Sequence, residues 1–370
     1  MKKRVCFITF LLCLSMVGCS ANENNKENMS ETTDKKISIE ESNETGQVDI
    51  KGTITEHVTA DTKMQIPEKT FATYSTEFKT FDKEKLASLF WPDSSKEEIY
   101  VEEYDDKSSA MTFEGETVAV ELGTMMYRRN DDIRYLSDIA FYGEEVNLLQ
   151  EKDLAFMTTG QAVQNVEAFL SELDLGMDFG EKKVFALTKE DMSGIQDRMK
   201  ADEHFESFYE SGKFQERTFN TEDEFYFIKY TFSLNGLPIL GAEDPDIQMT
   251  GGIERGELAW PMEATVLFSN SGICEINLMG VVDQLEKQSE NKEVIQFDGI
   301  EKALVKKFGD VILSQEYNLS KIWLEYFPKI KEDSFEEVEL IPVWCCEFDI
   351  NGEEVDYALR FHAFTGEEIS

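Results

Sequence analysis

Two alternating apolar runs, each ending in Asn-Gly, constrain this chain more than anything else in its sequence. In the first, Ile228, Tyr230, Phe232 and Leu234 alternate up to Asn235-Gly236; in the second, Trp344, Cys346, Phe348 and Ile350 alternate up to Asn351-Gly352. A period of two is that of a strand with one buried face. Asn-Gly tolerates positive φ at both positions and closes a two-residue hairpin. Antiparallel sheet is therefore expected at two places far apart in the chain.

A helix is expected ahead of each run. Val163, Val166, Leu170 and Leu173 share one helical face, closed by Gly176; Ile300, Leu304 and Phe308 share another, closed by Gly309. Asp298-Gly299-Ile300-Glu301 has the form of a capping box. Each run leads on to a further strand and glycine turn, from Ala264 to Gly272 and from Ala358 to Gly366. The correspondence reads as a duplicated unit of one helix packed on an antiparallel sheet, at 152–290 and 291–370, with helical insertion 189–214 in the first only. Ahead of both, 48–151 is expected to be a further α+β domain. It holds a short helix over 82–90 stopped by Pro92, and strands at 98–104, 117–122, 124–128 and 133–141, with 71–78 fitting a strand only in part.

The N-terminus carries an address. Met1-Lys2-Lys3-Arg4 precedes an apolar stretch from Val5 to Val17, too short to span a bilayer, as in a secretory signal. Met16-Val17-Gly18-Cys19-Ser20 then resembles the bacterial lipobox, with Met16 where Leu is usual. That resemblance implies cleavage after residue 18 and lipid on Cys19. Residues 19–47 are Asn, Glu, Lys, Ser and Thr with little apolar content, and read as a disordered tether with a reach of ~30 Å. The expected location is the outer face of a cell membrane.

Charge narrows the partners. Of 370 residues 75 are acidic and 36 basic, a formal charge of −39. The charge argues against nucleic acid, bound by Lys and Arg neutralising phosphates, and against a surface lying flat on anionic lipid. With the signal and Cys19 set aside, Cys274, Cys345 and Cys346 remain, a set too sparse for a disulfide framework. Adjacent in a strand, Cys345 and Cys346 should face opposite ways, as small buried hydrophobes.

No pattern in the sequence specifies catalysis. His57, His204 and His362 are the only histidines, and none has triad neighbours; His362 is expected to face solvent. Ser289 and Lys292 form one Ser-x-x-Lys in a charged linker that offers a lysine base no burial. Asp244-Pro245-Asp246-Ile247-Gln248 only faintly resembles a calcium loop, with Met249 at the glycine position. No cofactor or metal is expected. Phe90-Trp91-Pro92 and Trp260-Pro261 set indoles beside prolines; Trp91 and Trp260 are candidate partner contacts, with core packing the competing use.

Ile341-Pro342-Val343-Trp344 followed by Ala363-Phe364-Thr365-Gly366-Glu367 resembles the end of YycI-like regulatory proteins and, more loosely, PepSY-type extracytoplasmic domains. The whole chain is similar to a group of uncharacterised lipoproteins from Gram-positive anaerobes. The YycI-like resemblance implies an envelope protein partner such as a sensor kinase, although YycI-like proteins span the membrane. The expected function is a non-enzymatic, lipid-anchored binding or regulatory module acting through protein contacts. A carboxylate-based envelope hydrolase, needing two acids set across a cleft, and a solute-capture lipoprotein, needing a deep pocket, are the alternatives.

Overall fold

The computed structural model describes residues 37–369 except 42–45, 68, 106, 213, 240–261, 310, 332–333 and 335. Three antiparallel strands come first: β1 (Ser38–Glu41), β2 (Gln47–Thr55) and β3 (Val58–Gln65). Val58, Ala60, Thr62 and Met64 of β3 are buried and the residues between them exposed, the signature of one covered face. β1 lies inside the stretch expected to be tether: Ile39 opposite Ile50 gives it a partner that composition alone does not reveal.

β4 (Tyr74–Glu77) leads to helix α1 (Lys83–Phe90), where the Asp82 carboxylate accepts the Glu84 and Lys85 N–H groups at 2.9 and 3.1 Å. An antiparallel meander follows, β5 (Tyr100–Glu103), β6 (Ser109–Phe113), β7 (Glu116–Glu121) and β8 (Thr124–Arg128). The expected strand at 133–141 is instead helix α2 (Asp132–Glu145). Ile133, Leu136, Ile139, Ala140 and Gly143 are buried at helical spacing, and that stripe outweighs the aromatic and β-branched content that suggested a strand.

α3 (Thr159–Ser171) opens with a full capping box between Thr158 and Gln161. β9 (Asp178–Leu187) runs to the insertion, which is two helices, α4 (Lys189–Ala201) and α5 (Glu203–Glu210). Then come β10 (Phe225–Leu234), β11 (Leu237–Pro238), β12 (Glu263–Ser269), β13 (Gly272–Met279) and β14 (Glu286–Lys287). Helix α6 (Phe297–Phe308) precedes β15 (Tyr317–Ile330), β16 (Glu337–Ile350), β17 (Glu353–His362) and β18 (Glu368–Ile369). Its start corrects the sequence reading: the N-cap is Gln296, whose side chain makes no capping bond, and Asp298 already lies inside the helix. Gly309 does cap it, at a right-handed φ of −67°. Both Asn-Gly turns form, with φ of 55° and 84° at 235–236 and 54° and 79° at 351–352.

Among the described residues the strands make two nine-stranded sheets. The first runs β1-β2-β3-β15-β16-β17-β18, with β4 pairing both β14 and β16; the second runs β11-β10-β12-β13-β8-β7-β6-β5, with β9 on β10. α1, α3 and α6 are each followed by four strands that pair in succession as an antiparallel meander, β10 to β12 across the β11 hairpin in the middle case. The divisions expected at 151 and 290 do not separate the sheets. β3 pairs with β15 in parallel, β4 with β16 and β8 with β13, so strands of 48–151 belong to both.

One large core joins the two sheets, with α3 and α6 contributing Val166, Leu170, Ile300 and Leu304. A second core lies on the other face of the second sheet, where α2 and α4 cover Phe225, Phe227 and Leu267. β10 is consequently buried on both faces over its first four residues, not on one as its alternation implied. β16 is likewise buried on both faces, its outward side forming a small cluster of Phe327, Ile341, Val343 and Cys345.

Candidate functional site

Helix α1 and strand β5 form a groove at the free end of the second sheet. Asp82 fixes the start of the helix, and the Trp91 N–H bonds back to the Ala87 carbonyl at 2.8 Å to end it. This sets the Trp91 indole beneath the chain, where Nε1 donates to Glu116 Oε2 at 2.8 Å. Tyr127 donates its hydroxyl to the same oxygen at 3.0 Å, and Phe90 stacks on the Tyr127 ring at 4.3 Å. Burial, then the Glu116 charge, pushes the Tyr127 hydroxyl far above its ordinary value, which keeps it a donor. Trp91 is thus 5% exposed and mainly a core residue, yet its edge helps line a cavity of about 230 Å³ with Ala87, Pro92, Ile99, Val101 and Met111.

The groove's outer lip is unpaired strand. Among the described residues β5 pairs with β6 along one edge and with nothing along the other. Tyr100, Val101 and Tyr104 are 66, 44 and 63% exposed. Val101 lies opposite buried Met111 and faces the cavity; Tyr100 and Tyr104 stand on the other side of the strand. Ion pairs from Lys83 to Glu103 (2.7 Å) and from Lys96 to Glu84 (2.8 Å) border the opening. Such an arrangement can accept an added strand through backbone hydrogen bonds and one apolar side chain through the cavity. Among the described residues that line it, the Ser88 and Ser94 hydroxyls are each engaged as donors, to the Glu84 and Trp91 backbone carbonyls, and neither meets a base.

The other sequence candidates are scattered. Cys19, Trp260 and the Asp244–Gln248 run lie outside the described residues. His57, in the β2–β3 turn, meets Glu316 Oε1 at 2.7 Å, and that hydrogen bond raises its pKa. His204 is exposed on α5. His362 is half-buried, against the expectation that it faces solvent; its Nδ1 accepts the Phe364 N–H at 3.1 Å, and burial lowers its pKa. The Ser289 hydroxyl accepts the Thr73 N–H at 3.0 Å, while Lys292 lies over the Phe364 ring. Cys274, Cys345 and Cys346 are free and buried, with Cys345 and Cys346 on opposite faces of β16.

Two buried carboxylates escaped the sequence reading. Glu275 on β13 is gripped by Arg128 Nε and Ser137 Oγ, both at 2.6 Å, and by Asn277 at 2.9 Å. Glu325 on β15 accepts from Trp323 Nε1 at 2.7 Å and the Cys345 thiol at 2.9 Å, with Arg360 Nε at 3.6 Å. Burial pushes Glu325 upward, while the hydrogen bonds from the Cys345 thiol and the Trp323 indole oppose it. An acid at an inward strand position was the one available signal. Among the described residues no three metal-ligating side chains converge, and no helix is long and apolar enough to cross a membrane.

The architecture is thus that of a mixed α+β protein with two large sheets. No protein-family model matches the chain, and no curated protein matches it. Among solved structures it is similar to an uncharacterized protein from Eubacterium rectale ATCC 33656. The two are 15% identical with a TM-score of 0.52, over 87% of this chain and 93% of that one. At that identity the likeness is one of fold.

Proposed function

We propose that this chain is a lipid-anchored, non-enzymatic binding module of the cell envelope, and that it holds an extended segment of a partner protein along β5. The exposed edge strand beside an apolar cavity carries the reading. An incoming strand would satisfy the free β5 backbone groups and place one apolar side chain against Trp91 and Met111. Glu97, Glu98, Glu102 and Glu103 around the lip favour a segment with basic flanks. The basic start, apolar stretch and Cys19 supply the anchor, and the repeated helix-then-meander plan supports the duplicated, PepSY-like units expected from the sequence.

A photo-reactive residue at Tyr100 or Tyr104 in cells should give one discrete adduct. Ala87→Arg, which fills the cavity from a half-buried helix position, should reduce that adduct at least tenfold with the circular dichroism spectrum unchanged. Adducts no different from those at an exposed α5 position would refute the groove. Cys19→Ala should move the protein from the membrane to the soluble fraction.

A further inference from the structure

The chain enters the described structure at one particular end of the first sheet. Ser38 lies opposite Lys51 and β1 runs antiparallel to β2, so Ile37 stands at the end of β1 nearer the β2–β3 turn at Glu56-His57. The α6–β15 connection comes down at that same turn. Tyr317 donates its N–H to the His57 carbonyl at 2.9 Å, and Thr55, Glu56 and His57 share a shallow cleft with Gly309, Val311 and Ile312.

This end carries bare aliphatic surface. Ile312 is 100% exposed, Val311 55% and Val305, on the last turn of α6, 41%. None has a polar atom, unlike the exposed tyrosines of β5, and nothing in their own side chains is gained by contact with water. Lys306 and Lys302, the latter 3.4 Å from Asp298, are exposed beside Val305 in a chain whose net charge is −39. Apolar tips flanked by lysines are the arrangement of interfacial contacts, the stems lying along the apolar boundary and the ammonium groups in the headgroups. Two acids stand at the cleft: Glu316, which is held by His57, and Glu56, exposed on its rim.

We infer that Val305, Val311 and Ile312 dock shallowly into the bilayer that carries the Cys19 lipid. The inference rests on the anchored reading for its partner: 17 residues separate Cys19 from Ile37, and even fully stretched they span at most ~60 Å. A lipid on Cys19 therefore keeps the start of β1 within ~60 Å of the membrane. The anchor supplies proximity, and the aliphatic tip sets orientation. The β5 groove belongs to the other sheet and is left free for a partner.

The test uses the full lipidated chain in vesicles of phosphatidylcholine. Ile312→Cys, carrying an environment-sensitive fluorophore, should shift to the blue and be quenched at least twofold by lipids spin-labelled near the headgroup. The same label at Ser207 on α5 should do neither. Separately, the full Cys19→Ala chain is floated with the same vesicles, and Val311→Asp with Ile312→Asp should lower its weak partitioning at least fivefold. Because these positions are exposed, the fold is expected to survive, which circular dichroism checks. An unquenched label at position 312 in the anchored chain would overturn the inference, as would partitioning unaffected by the double substitution. A blue shift without lipid quenching would also overturn it and assign the tip to a second copy of the chain. Failure of the anchor itself reads out differently, as absence of fatty acid on Cys19, and leaves the flotation comparison intact.

Discussion

His57 and His362 both sit at the ends of strands, in opposite electrostatic settings. His57 is solvated and hydrogen-bonded to Glu316, which favours its charged form; His362 is half-buried, which disfavours it, although Glu367 and Glu339 pull the other way. Titration followed by NMR should place His57 above the ordinary ~6.5 and His362 below it. Glu316→Gln should return His57 toward that value; an unchanged midpoint would discount the hydrogen bond. The signs for stability also differ. The His57 contribution is complete below its unfolded pKa and lost as pH rises through the higher folded one, whereas His362 costs stability as pH falls below its unfolded value. The three thiols give a second expectation. Burial raises Cys345, next to the Glu325 carboxylate, and Cys346, so neither thiolate forms near neutral pH. Native protein should therefore leave Cys345 and Cys346, and through its burial alone Cys274, unreactive toward a thiol reagent until denaturant is added. Sequence alternation was enough to set the two adjacent cysteines on opposite faces. It could not show Glu325 beside one of them, because that contact joins neighbouring strands.

Among the elements, helix ends separate local from borrowed stability. Thr158 and Gln161 satisfy each other's backbone donors at the start of α3, while α6 begins at Gln296 without a side-chain cap. Thr158→Ala should cost about 1 kcal/mol in urea unfolding, and Asp298→Ala, whose carboxylate only meets exposed Lys302 at 3.4 Å, well under half of that. Equal costs would mean that the cap read from four consecutive residues, Asp298 to Glu301, is real after all. Gly176 shows a different limit. It reads as a helix stop, yet α3 has already ended at Ser171, and a Cβ at 176 would stand 2.1 Å from the Asp283 carbonyl oxygen. Gly176→Ala should therefore destabilise by about 1–3 kcal/mol through a backbone clash, with helix content unchanged. Short-range signals placed α1, α3, β8 and both Asn-Gly turns. They failed at α2, where Tyr135, Phe141 and Ile139 favour a strand until the 3.6-residue stripe is weighed against packing on α4.

At the scale of the whole molecule, the sheets are where sequence reading stops. Nothing in Val58-Thr59-Ala60 names Tyr317-Asn318-Leu319 as its parallel partner, nor does β4 announce that it will fill the gap between β14 and β16. Hydrophobic period sets which face a strand buries and leaves its neighbour open. A cut at the expected boundary is the direct check. A chain ending at 290 lacks β15 and β16 and should expose the buried side of β3, so we expect protease sensitivity at 46–78 where the intact chain resists. A fragment as resistant as the whole would establish the boundary as a true domain limit.

The pairing of β3 with β15 also sets a timetable. A ribosome delivers the first strands long before the residues that complete their sheet, and a chain exported from its N-terminus would meet the outside in the same order. The leading edge must therefore wait, incompletely matched, until nearly the entire polypeptide has emerged. The strong net negative charge, by self-repulsion, would discourage neighbouring molecules from completing that edge with their own strands in the interval.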